Sequence, residues 1–156
     1  AAQSEWLAQS VDYTQSEIMV PAFTGLGAPY WEPNARAAIF GMTRNTRRNQ
    51  LAAAALRSVA YQSDDLLQAM AHDGRAVTTL RVDGGMVVNN WVLQFLADIL
   101  GARVDRPDMI ETTALGAAYL AGLQAGVYSS LEELLKLWHC DRTFEPVMTK
   151  DKRDRL

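Results

Sequence analysis

Apolar residues recur at near-helical spacing from Gln50 to His72, where "QLAAAALRSVAYQSDDLLQAMAH" places Leu51, Ala55, Val59, Leu66, Leu67 and Met70 along one track. This spacing predicts one long helix, with Asp73-Gly74 as its stop. Carboxylates adjacent in sequence point in different directions on a helix, so Asp64 and Asp65 read as a solvated face, not a catalytic pair. Upstream, Ile18 to Phe23 and Ala37 to Met42 predict short strands, and the Gly/Pro-rich Thr24 to Asn34 between them is loop. The loop aromatics Tyr30 and Trp31 read first as packing that pins the loop to the body, and second as ligand contacts. Arg44, Arg47 and Arg48 read as a solvated entry to the long helix in preference to a phosphate site.

Downstream the period alternates. "TTLRVDGG" predicts a strand over Leu80 to Asp83, "NNWVLQFLADILG" a helix closed by Gly101, "ARVDRP" a strand ended by Pro107, and "ETTALGAAYLAGLQAGVY" a further helix. Strand, helix, strand, helix is the pattern of an α/β domain with a sheet and crossover helices. Its conspicuous feature is Gly84-Gly85. Adjacent glycines cost backbone entropy and pack no side chain, so they belong where the chain turns sharply or something approaches it closely. Ligands of open α/β sheets sit at the carboxyl ends of strands, and a helix N-terminus offers N–H groups to polar or anionic atoms. Asn89, placed by the pattern in the first turn of the following helix, either reads such a ligand or caps the helix. The turn is not the dinucleotide fingerprint of three spaced glycines. The small residues Ala114, Gly116, Ala117, Ala118, Ala121 and Gly122 allow close approach of the last helix to a neighbour, with tight internal packing the first expectation.

Composition narrows the function classes. The 156 residues, nearly half of them apolar, suffice for one domain with a sizeable core. A formal charge of -3 excludes the basic field on which general affinity for nucleic acid or anionic membrane rests. Cys140 is the only cysteine, so no internal disulfide forms, and neither His72 nor His139 stands at a metal-ligand spacing from it. A reducing, cytoplasmic location is the expectation. The uncharged run Thr112 to Leu131 is too rich in Ala and Gly to predict a membrane span, and no secretory signal core opens the chain. The start "AAQSEWLAQSVDYTQSE", without an initiator Met, reads like mid-sequence.

"VPAFTGLGAPYWEPNARAAIFGMTR", "LRVDGGMVVNNWVLQFLADILGARVDRP" and "TTALGAAYLAGLQAGVY" together resemble the carboxyl-terminal domain of the glycerol kinases. These belong to the sugar and polyol kinases with the actin-like, ribonuclease H-like ATPase fold. The likeness runs in unbroken order from about Val20 to Phe144, and "FTGLGAPYW" points to glycerol kinases within the family. The resemblance implies an α/β domain with a mixed sheet flanked by helices, spanning residues 1–156 and forming the nucleotide-binding part of a two-domain enzyme. That enzyme moves the γ-phosphate of ATP, with Mg²⁺, onto a primary hydroxyl of glycerol. It further implies that Gly84, Gly85 and Asn89 contact the adenosine part of the nucleotide, and that the small-residue helix is the interdomain connecting helix near the hinge.

The family's first phosphate loop, its catalytic aspartate, most of its polyol-binding groups and most of its Mg²⁺ site lie in an amino-terminal domain absent here. No catalytic residue is therefore assigned. Arg57 stands where relatives usually carry an acid, a local charge reversal that changes whatever partner that position meets. Relatives also continue past Leu156 into a further helix, and Lys150, Lys152 and Arg153 make this end basic. A stand-alone nucleotide-binding or interaction module, and the same domain of another sugar kinase such as xylulose kinase, stay open as alternatives, and the composition leaves a homo-oligomer open.

Overall fold

The computed structural model describes residues 2–12, 14–74 and 77–156. Helix α1 (Ala2–Gln9) precedes strands β1 (Ile18–Val20) and β2 (Ala38–Phe40), which pair antiparallel with Met19 opposite Ile39. The long helix α2 (Arg48–His72) begins two residues earlier than its apolar period, because Gln50 reaches back to the Arg47 N–H at 2.7 Å and closes the first turn. Strand β3 (Thr79–Arg81) leads through a 3₁₀ turn (Gly85–Val88) into α3 (Asn90–Leu100) and on to β4 (Arg103–Pro107). β3 and β4 run parallel, Leu80 beside Val104, with α3 as the crossover. Helices α4 (Thr112–Gln124) and α5 (Leu131–Leu135) follow, then β5 (Cys140–Phe144), antiparallel to β4, and α6 (Lys150–Arg153). The expected α/β architecture with a mixed sheet is observed.

The core is built around α3. Val92, Leu93, Phe95, Leu96, Ala97 and Ile99 are all buried, covering most of the helix circumference, against Ala60 of α2, Val104 of β4 and Phe144 of β5. A helix apolar on nearly every side must be covered on nearly every side. Trp91 stacks on Phe95 at 5.5 Å and Tyr61 meets the same ring edge-on at 5.8 Å. Gly101 ends the helix in the left-handed conformation at φ 59°.

One buried acid fastens the tail to this core. Asp98, 2% exposed, accepts from the backbone N–H groups of Val147 (2.6 Å) and Met148 (3.0 Å). Asp98→Ala strands both donors, each worth about 1–3 kcal/mol when unsatisfied. The expected outcome is a loss of about 2–3 kcal/mol in the unfolding free energy of the complete protein by urea titration; a variant within about 0.5 kcal/mol of the parent contradicts this account of the tail.

The partner of Arg57, the position of the local charge reversal, is now defined: the side chain is 3% exposed, donates from Nη2 to the Asp12 carbonyl at 2.7 Å, and lies over the Phe95 ring at 5.6 Å. A guanidinium can meet a carbonyl dipole and a ring face together, which a carboxylate cannot. The expectation that helix α4 packs tightly inside this chain is corrected, since it has no buried residue. Of its two glycines Gly122 is the closely approached one, where an added Cβ would come within 2.7 Å of the Tyr128 ring.

Asp64 and Asp65 do point apart, yet both are half-buried. Burial pushes the Asp64 carboxyl up, and Asp65 turns toward the Thr24 to Asn34 loop, where its carboxylate pushes the Tyr30 hydroxyl up. Tyr30 and Asp65 line one pocket between that loop and α2, with Tyr30 56% and Trp31 75% exposed. Arg44, Arg47 and Arg48 are exposed, and Arg47 donates to the carbonyls of Arg44 and Thr46 within its own loop. No helix among the described residues is long and apolar enough to cross a membrane.

Candidate functional site

The Gly-Gly turn sits at the carboxyl end of β3, as the sequence predicts. Gly84 has φ 85° and ψ 176°, a conformation that excludes nearly every side chain, and its N–H donates to the Ile110 carbonyl at 3.0 Å. Asp83, just before it, accepts from the Thr112 hydroxyl at the start of α4. The turn is therefore fastened from the α4 side. Gly85 opens the 3₁₀ turn, which Val87 anchors in the core while Met86 and Val88 stay exposed on either side of it.

What the glycines leave open is decisive for chemistry. A Cβ built on Gly84 or on Gly85 meets no atom within 4 Å, so neither glycine is there to admit another part of this chain. At Gly84 the backbone conformation accounts for the residue type. At Gly85 neither conformation nor internal packing does, so its bare surface is open to an approaching group from outside this chain, as it is at Gly27 and Gly116.

Asn89 lies differently from its expected place. The 3₁₀ turn occupies Gly85–Val88, so Asn89 becomes the N-cap of α3 instead of a first-turn residue, 2% exposed, with Oδ1 accepting from the Val92 N–H at 3.0 Å. The Trp91 N–H donates to Glu5 of α1 at 3.2 Å, and the Leu93 N–H to the Asn89 carbonyl at 3.3 Å. The amides of Trp91, Val92 and Leu93 in the first turn of α3 are thus taken by the protein. This part of the helix N-terminus, offered by the sequence as a ligand-facing element, is satisfied internally, and the bare surface is the turn in front of it. Glu5 was missed because an isolated acid in a polar opening stretch gives no sign of which distant helix it will cap.

Asn89→Ala measures the cap. Losing an N-cap side chain costs about 1 kcal/mol, so the melting temperature is expected to fall by a few degrees. A purely structural Asn89 would leave nucleotide affinity unchanged in the same preparation, whereas a ligand contact would weaken it about two- to tenfold.

Elsewhere, Arg81, Met109, Leu115, Tyr119, Leu134 and Trp138 line an apolar cavity between α4 and α5, with the Arg81 guanidinium 4.0 Å from the centre of the Trp138 ring. No group of three or more His, Cys, Asp or Glu among the described residues converges as a metal site.

This arrangement has known counterparts. A glycerol kinase of Coxiella burnetii is 59% identical over the whole of this chain, which covers 31% of that protein. Glycerol kinase 1 of Pseudomonas aeruginosa is 54% identical, again over the whole chain and 32% of its own length. The crystal structure of Plasmodium falciparum glycerol kinase with ADP superposes with a TM-score of 0.83 at 36% identity, over 99% of this chain and 31% of that one. The chain thus spans about a third of the length of the relatives it matches. Residues 2–125 match the family described as the FGGY family of carbohydrate kinases, C-terminal domain, and the chain belongs to that family.

Proposed function

We propose that this chain is the nucleotide-binding part of an ATP-dependent glycerol kinase, with Gly84 and Gly85 forming its contact with the adenosine end of the nucleotide and Asn89, expected from the sequence to share that contact, supporting the turn from behind as the cap of α3. The observation that carries the assignment is the bare surface at Gly85, which the chain's own packing leaves unexplained. The ADP of the Plasmodium falciparum structure and the high identity to glycerol kinases support the nucleotide and the acceptor.

In this reading Gly84 supplies the sharp turn, Gly85 lets the ligand reach the backbone, and buried Asn89 holds the start of α3 in register behind them. The segment binds and orients, and does not itself move a proton or a phosphoryl group. Phosphoryl transfer depends on positioning and on electrostatic stabilisation of the transferred group. Mg²⁺ would supply part of that stabilisation, and in this reading it is held mainly outside this segment. ADP titration of the complete enzyme, with a coupled assay of glycerol-dependent ADP release, tests the proposal. Nucleotide affinity that is indifferent to substitution at Gly85 refutes the site, and turnover with xylulose in place of glycerol refutes the acceptor.

A further inference from the structure

We propose that Arg106 of β4 is a positioning residue that holds the Gly84–Gly85 turn at the height needed for nucleotide contact. The inference rests on the assignment of that turn to the nucleotide. Arg106 Nη1 donates to the Val87 carbonyl at 3.1 Å and to Asn90 Oδ1 at 3.0 Å. Its Nε and Nη2 donate to the Asp141 carboxylate of β5 at 2.7 Å and 2.6 Å. One planar cation therefore joins two strands to the residues flanking Asn89 in sequence.

The need for such a clamp follows from the glycines. Glycine restrains its backbone less than any other residue, so an unsupported turn would have to be ordered when ligand binds, and that ordering weakens affinity. From the α4 side the Gly84 N–H and the Asp83 carboxylate hold only its entry. Arg106 fixes its exit. The side chain is 15% exposed, so water competes little for its donors, whereas Asp141 at 46% is the more solvated partner. The geometry needs a fork: a lysine ammonium is a point donor and cannot reach the Val87 carbonyl, the Asn90 amide and Asp141 in one plane.

The experiment uses the complete enzyme carrying R106Q, R106K, D141N or G85V. ADP dissociation constants, KM for ATP and for glycerol, kcat and the nucleotide-free melting temperature are read for each. R106Q is expected to raise the ADP dissociation constant and the KM for ATP by about tenfold with the KM for glycerol unchanged, since misplacing a binding element by a fraction of an ångström acts on the ligand it meets. R106K should restore charge without restoring affinity, and D141N should give a smaller rise in the KM for ATP. A residue that merely stabilises the fold would lower the melting temperature and leave the KM for ATP at the parent value, and that outcome overturns the proposal. If R106Q does not yield folded protein, R106K and D141N decide, and unchanged ATP parameters in both overturn it. G85V separates the two assignments: ADP binding lost in G85V but intact in the Arg106 variants removes Arg106 alone, while intact binding in G85V removes the turn and this inference with it.

Discussion

Gly85→Val is expected to weaken ADP binding by the complete enzyme at least about a hundredfold, roughly 2.7 kcal/mol, while its melting temperature stays near the parent's. The two halves of that expectation have separate causes. Folding is spared because a side chain at Gly85 meets no atom within 4 Å and the residue lies outside the left-handed region. Binding is lost because a β-branched side chain fills the same empty space that the nucleotide would enter. Gly84→Val is the wrong probe. At φ 85° a valine would be strained whatever surrounds it, costing about 1–3 kcal/mol, and lost binding could not be separated from a distorted turn. Calorimetric titration with ADP beside a thermal melt distinguishes the cases. Parent-like affinity in a normally folded Gly85→Val enzyme refutes the site.

The parts of this fold legible in the sequence are those where one periodicity dominates. α2, α3 and β4 emerge within a few residues of their observed bounds because each is an apolar-rich run closed by a turn residue, with Gly101 ending α3 in the left-handed conformation. The face that α2 buries, Ala53, Ala54, Arg57, Ser58 and Ala60, is nevertheless not the track its larger apolar residues mark. The elements that escaped notice carry no such run. β5 reads "CDRTF", with three exposed residues before the buried Phe144, so its pairing with β4 is the only sign that it is a strand. α1, α5 and α6 are eight residues or shorter, too short for a helical period to stand out.

The candidate site was legible by position and less so by geometry. Gly-Gly after a strand located the turn. The interposed 3₁₀ turn did not show, because "GMVVNN" has no capping residue before Asn89 and its Met-Val-Val run continues the apolar character of β3. That one turn moves Asn89 from a ligand-facing place to a buried cap. Arg57 shows the same limit from another side. A charged letter in an alanine-rich helix reads as solvent-facing, and only three-dimensional packing brings the Asp12 carbonyl and the Phe95 ring to it. Side-chain partners distant in sequence, such as Glu5 on Trp91 or Arg106 on Val87, have no periodic signal at all.

Produced alone, this segment is expected to release no glycerol-dependent ADP and to bind ATP weakly. A phosphoryl transfer needs the γ-phosphate, a metal, the acceptor hydroxyl and its base held in line, and only such alignment lowers the barrier. In the proposed reading the segment offers a turn to the adenosine end, a contact that ATP and ADP share and that therefore stabilises substrate and product alike. The residues that would stabilise the transition state lie, in the same reading, outside this segment, which spans 31% of the length of its Coxiella burnetii relative. Exposure of α4 adds a physical consequence: Leu120 on that helix, with Val127, Leu131 and Leu135 beyond it, leaves an apolar surface open to water. Self-association of the isolated segment is expected, and light scattering would detect it. The decisive measurement is a coupled ADP-release assay on the segment, on the separately produced remainder of the enzyme, and on the two mixed. Turnover only in the mixture shows that the active site needs both parts, as the proposed reading requires. Glycerol-dependent turnover by the segment alone, with host kinase excluded by a mock purification, would show that these 156 residues hold a complete active site and would overturn the assignment.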